Sequence, residues 1–140
     1  MKIGIKWRWG IIIGLAVPII LIGTILYGFI SGYRLLRHHE MVFGEIYDCS
    51  KGAKGRPDAC NVMYRYVVDG KTYYCKALLP GYELQYEDCR KYLTGRNLPL
   101  VYDPGNTGSS ALMLTPAAFR LYGYSFPDSL RWLQEYVKDK

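Results

Sequence analysis

Asn61-Val62-Met63-Tyr64-Arg65-Tyr66-Val67-Val68-Asp69-Gly70-Lys71-Thr72-Tyr73 decides what kind of domain this chain builds. Val62, Tyr64, Tyr66 and Val68 alternate with Met63, Arg65 and Val67, the period of two that puts one set of side chains on each face of a strand. Asp69-Gly70 is the strong two-residue hairpin signal, because both residues tolerate positive φ. A strand over residues 61–68 therefore turns into a partner over 71–79, which Pro80-Gly81 ends.

The pattern extends on both sides. Residues 41–48 read as an earlier strand with imperfect alternation. Residues 82–93 suit a helix, with Tyr82, Tyr86, Cys89 and Leu93 on one face, Glu83, Glu87 and Lys91 beside it, and Gly95 as a stop. A strand over 98–103 turns at Pro104-Gly105-Asn106, and Pro99 predicts that it begins at a sheet edge. A short strand over 111–114 precedes Pro116, and a last helix spans about 127–138, opened by Pro127 and Asp128. The expected class is α+β: a small, mostly antiparallel β-domain over 34–140, with an inserted helix and a C-terminal helix.

The N-terminal quarter is different. Residues 9–33 contain no charge, and 10–30 are Ile, Leu, Gly, Val, Ala and Phe with one Pro, one Thr and one Tyr. As a helix, that stretch is roughly 31 Å long, the hydrocarbon thickness. Trp7 and Trp9 precede it and Tyr27 and Tyr33 close it, as interfacial rings do. It is longer than a signal-peptide apolar region and ends without an Ala-x-Ala cleavage pattern. The expectation is a basic tail over 1–9 and an uncleaved transmembrane helix over 10–33. Gly10 lies in line with Gly28 and Gly14 with Gly32, five helical turns apart, a strip that lets another helix approach.

Net charge is +6, split evenly between the tail and the rest. Past the apolar segment the 12 Asp/Glu nearly balance the remaining Lys/Arg, too even for a nucleic-acid footprint, so no nucleic acid is expected. All four cysteines, Cys49, Cys60, Cys75 and Cys89, lie in the β-domain and none forms a C-x-x-C pair. An even count in a small extramembrane domain favours disulfides and an oxidising compartment over zinc. Of the three pairings, Cys49–Cys60 with Cys75–Cys89 is preferred; four buried thiols are the alternative. The cysteines, more than the charges, set the expected orientation: N-terminus cytoplasmic and domain extracytoplasmic (periplasmic), at the inner (plasma) membrane.

The hairpin with Gly95, then Leu100-Val101-Tyr102-Asp103-Pro104-Gly105-Asn106 and Ala111-Leu112, resembles a bacterial family of unknown function. Its members join a membrane helix to a small β-domain carrying a YxYxVDGKxY…VxYDPxNP pattern. The resemblance covers residues 44–114 and implies a fold, not an activity. Thr107 stands where proline is usual, the cysteines are extra, and a second membrane helix of many relatives is missing.

Catalytic chemistry is sparse. His38 and His39 read as a wet juxtamembrane pair. Lys51, Lys54 and Arg56 read as a solvated hairpin tip. No nucleophile–base arrangement or phosphate-cradling loop has local support. No catalytic, cofactor-binding or metal-ligating residue is assigned. The 14 tyrosines are expected mostly in the core, with Tyr122, Tyr124, Trp132 and Tyr136 as a partner surface. The functional expectation is a non-enzymatic single-pass protein that touches lipid and another membrane or envelope protein, as an accessory subunit of a membrane complex. The alternatives are an immunity-type protein against an envelope-acting toxin and an anchored hydrolase or thiol oxidoreductase.

Overall fold

A computed structural model of the chain describes residues 4–55 and 57–139, with side chains of the first helix described from Gly14 onward. The chain divides into two units, 1–34 and 35–140. The first is the body of helix α1 (Gly4–Arg37), which runs unbroken through Pro18. Its segment Gly14–Arg37 is long and apolar enough to cross a membrane: 24 residues at about 1.5 Å each exceed the hydrocarbon thickness. The tail's first three residues, the side chains of Trp7 and Trp9, the surroundings of Gly10, and Arg56 of the hairpin tip lie outside the described residues.

The second unit is a five-stranded antiparallel sheet with small helical segments. Its strands are β1 (Glu40–Lys51), β2 (Cys60–Val68), β3 (Lys71–Leu79), β4 (Asn97–Asp103) and β5 (Asn106–Leu112), in spatial order β3-β2-β1-β4-β5. The β2–β3 hairpin closes at Asp69 (φ 51°) and Gly70 (φ 75°), both in the left-handed region. Only a residue pair that tolerates positive φ closes so tight a turn with the twist of its strands.

The inward face follows from the alternation. Val62, Tyr64 and Tyr66 are buried with Ile46 and Leu100. The sheet curls until its two edges face one another, and tyrosine hydroxyls span the gap: Tyr66 Oη donates to the Thr107 carbonyl and Tyr64 Oη lies 2.9 Å from Ser110 Oγ. Buried hydroxyls need such partners.

Several expectations are corrected. Pro99 does not start an edge strand: β4 lies inside the sheet between β1 and β5. The Pro99 carbonyl accepts from Met113 N at 3.0 Å, just past the end of β5. In an antiparallel ladder a residue's N and O point the same way, so the missing N–H falls where the β5 ladder stops and the β1–β4 ladder loses nothing. The helix over 82–93 shortens to α2 (Tyr86–Asp88), which continues as a π turn over Cys89–Leu93. Glu83 N and Leu84 N instead donate to the Pro80 carbonyl, and Gln85 is extended (φ −74°, ψ 141°). The strand over 111–114 moves earlier, because Asp103 Oδ1 caps Gly105 N at 2.8 Å and the chain turns straight into β5. Pro116 opens α3 (Pro116–Leu121), with Thr115 Oγ1 capping Ala118 N at 3.2 Å. The last helix is a 3-10 helix, Asp128–Glu135, that presents Leu130 and Leu133 to the core.

His39 is also not a wet juxtamembrane residue. Its ring is half-buried, with Nδ1 2.9 Å from the Leu35 carbonyl and Nε2 3.0 Å from the Tyr122 carbonyl, and edge-on contacts to Tyr122 and Tyr124. His38 stays exposed.

Candidate functional site

Three places in the structure carry chemistry or contact surface, and the first is a cluster of sulfur. Cys49 bonds Cys89, while Cys60 and Cys75 are free thiols. This overturns the expected Cys49–Cys60 and Cys75–Cys89 pairing, and the reason is strand register. Cys49 lies opposite Val62, and Cys60 lies opposite Lys51. Cys49 and Cys60 are thus diagonal neighbours on one face, roughly 7–8 Å apart at Cα, beyond easy disulfide reach. The π turn instead brings Cys89 to the end of β1. Cys75, opposite Tyr64 on β3, turns toward the β5 edge, its Sγ 3.7 Å from the Gly108 carbonyl.

The Sγ atoms of Cys49, Cys60 and Cys89 lie within 4.8 Å of one another, all buried. Among the described residues this is the one group of three or more His, Cys, Asp or Glu side chains close enough to share an ion. Burial pushes the Cys60 thiol up to about 11. Thr94 Oγ1 lies 3.7 Å from Cys49 Sγ and 3.4 Å from the Cys89 carbonyl.

The second place is the outer face of the sheet. Glu45, Arg65 and Tyr74 form one cross-strand row, with Arg65 Nη2 2.6 Å and Nε 2.8 Å from Glu45 Oε2. That carboxylate raises the already high Arg65 pKa further. One row away lie Phe43 and Val67, the latter opposite Thr72, and the Tyr47 ring meets Tyr74 edge-on at 5.9 Å. Phe43 is 61% exposed, Val67 53% and Tyr74 64%. Adjacent exposed apolar side chains on a rigid sheet mark a contact surface more often than single ones do.

The third is the C-terminal aromatic group singled out in the sequence. Tyr122, Tyr124, Trp132 and Tyr136 are half-buried and engaged by their own domain. Tyr122 and Tyr124 flank His39, Tyr136 stacks on Tyr92 at 4.2 Å, and the Arg96 guanidinium lies 5.3 Å from the Trp132 ring centre. Lys138 N donates to the Glu83 carbonyl, and Val137 pairs with Leu84. The segment is pinned across the loop before α2. The outer sheet face was less visible in the sequence, although Met63 and Val67 among its outward positions signalled that this face is not simply polar.

On α1, a Cβ added at Gly14, Gly28 or Gly32 would meet nothing within 4 Å, so these faces are open. An open cleft of about 720 Å³ lies near Asp58, Leu78, Pro80 and Tyr82.

Buried tyrosines give the domain an alkaline limit. Burial holds the Tyr64 hydroxyl above its ordinary value and Tyr66 up to about 12; Tyr102 is held near 12 first by its 2.6 Å hydrogen bond to Glu40 and then by burial. A raised folded-state value contributes stability that is complete below the unfolded value, about 10 for tyrosine. It is lost as pH climbs through the folded value. Thermal unfolding midpoints should therefore stay level to about pH 10, set by tyrosine, apart from an earlier onset from Cys60, and fall steeply up to about 12. Tyrosinate absorbance should rise together with that fall. A flat profile through this window would remove the buried-hydroxyl account.

The chain matches no family model, no curated protein and no solved structure.

Proposed function

We propose that this protein is a membrane-anchored, non-enzymatic binding module whose β-domain docks another protein on the extracytoplasmic side. One observation carries the proposal: Phe43, Val67 and Tyr74 stand exposed side by side around the Glu45–Arg65 pair. Rigid aromatic anchors beside a polar, paired rim are the composition of interface centres. The apolar α1 supports anchoring, and the disulfide supports an oxidising compartment for the domain. The open Gly14/Gly28/Gly32 strip supports a neighbouring helix.

Accessory-subunit and immunity-type versions share this chemistry and separate on where the binding energy lies. In the first, Gly14→Leu with Gly28→Leu abolishes association while the domain stays folded. In the second, the domain freed after Arg34, which keeps the buried Leu35, still binds its target. Phe43→Ser with Tyr74→Ser is expected to weaken either association at least tenfold, since truncating a central aromatic anchor removes about 2 kcal/mol or more. Association unchanged by both pairs of substitutions would defeat the proposal.

A further inference from the structure

We propose that Cys49, Cys60 and Cys89 form an internal thiol–disulfide exchange site, in which the Cys60 thiol takes Cys89 from Cys49. The three sulfurs already lie within 4.8 Å of one another, and no chain movement across the domain is needed to bring them together. Two of the three are joined, so in this state the cluster is not a thiolate cage for a metal ion; its available chemistry is exchange.

The step balances without any outside oxidant. Cys60 gives up its proton, and its thiolate attacks Cys89 Sγ. The Cys60–Cys89 bond forms and the Cys49–Cys89 bond breaks. Its electron pair stays on Cys49 Sγ, which takes a proton. One disulfide and one thiol enter, and one of each leaves.

Register chooses the sulfur attacked. Attack on Cys49 would produce the diagonal Cys49–Cys60 bridge, which the β1–β2 pairing holds too far apart at Cα. Attack on Cys89 has no such obstacle within a sheet ladder, because Cys89 sits on the π turn. Thr94 Oγ1 donates to the Cys89 carbonyl at 3.4 Å and lies 3.7 Å from Cys49 Sγ, so a turn of its hydroxyl proton would bring a donor to the departing sulfur. Cys89 is the shared partner in both linkages, so the π turn is tied to β1 in one and to β2 in the other. Burial of Cys60 holds down its thiolate share and makes the exchange slow at neutral pH.

Peptide mapping tests this on the full chain in mild detergent. The protein is held at neutral pH or at pH 9, then acid-quenched, unfolded, blocked with N-ethylmaleimide and digested with trypsin without reduction. Lys51, Lys54, Arg65, Lys71, Lys76 and Arg90 put each cysteine on its own peptide. Both Cys49–Cys89 and Cys60–Cys89 peptides are expected, with the second growing faster at pH 9. Cys49–Cys89 as the sole linkage at both pH values overturns the proposal. In Cys49→Ser, oxidation with glutathione disulfide is expected to join Cys60 to Cys89; only glutathione adducts or free thiols there would also overturn it. If that variant does not fold, the wild-type mapping, which uses no substitution, still decides.

Discussion

Replacing Cys89 with serine is expected to lower the stability of the β-domain by about 4 kcal/mol, the chain-entropy value for a 40-residue loop. A domain of this size has about 5–15 kcal/mol in total. The loss should pull the unfolding midpoint down by roughly 15–30 °C, at about 4–8 °C per kcal/mol. Cys49→Ser is expected to do much less damage. If Cys60 takes its place, the new loop from Cys60 to Cys89 is shorter, and its chain-entropy contribution differs by only about a few tenths of a kcal/mol. Cys60→Ser keeps the Cys49–Cys89 bond and should stay near the wild-type midpoint under oxidising conditions. Scanning calorimetry of the three variants reads this order directly. Equal losses for Cys49→Ser and Cys89→Ser would show that only one linkage stabilises the domain.

Gly44→Ala is expected to destabilise by about 2–3 kcal/mol, the upper part of the range for overpacking a filled core. A Cβ there would lie 2.5 Å from Leu100 Cδ2, 2.9 Å from the Arg65 carbonyl oxygen and 3.3 Å from Tyr66 Cβ. Leu100 is fully buried and cannot swing away into solvent. The carbonyl belongs to the β2 backbone, which the ladder to β3 holds in place. Adding Leu100→Val should recover part of the loss, because it removes one of the overlapping atoms and leaves the carbonyl. Gly55→Ala, where an added Cβ meets nothing within 4 Å, serves as the control and should stay within about 0.5 kcal/mol. Denaturant midpoints for the four proteins test the argument. A Gly44→Ala midpoint equal to that of Gly55→Ala would mean that the sheet yields at this point.

The sequence was most legible where local chemistry acts alone. The β2–β3 hairpin follows from alternation and Asp69-Gly70, and the apolar first helix follows from length and composition. What failed was set by partners distant in the chain. Cysteine pairing depends on the register that places Cys49 against Val62, and nothing local to either residue encodes it. Pro99 argues for an edge when read alone, but its missing N–H happens to fall at the end of β5. The pattern Tyr82, Tyr86, Cys89 and Leu93 has helical spacing; it yields at its start, where the Pro80 carbonyl captures Glu83 N and Leu84 N, so that Tyr82 is exposed while Cys89 and Leu93 are buried. His39 looked solvated because its partners, Tyr122 and Tyr124, arrive more than 80 residues later. The outward set of β2 was legible as a mixed face, but its exposure needed the whole sheet: β4 is buried at nearly every position, and the outer face of β1–β3 is not.

The binding proposal is tested most directly by affinity purification of the full chain from mild detergent, with wild type and the Phe43→Ser/Tyr74→Ser variant handled side by side. The account predicts one protein recovered with wild type in near-equal amount and lost with the variant, whose unfolding midpoint matches wild type. A wild-type chain recovered alone and monodisperse would contradict it.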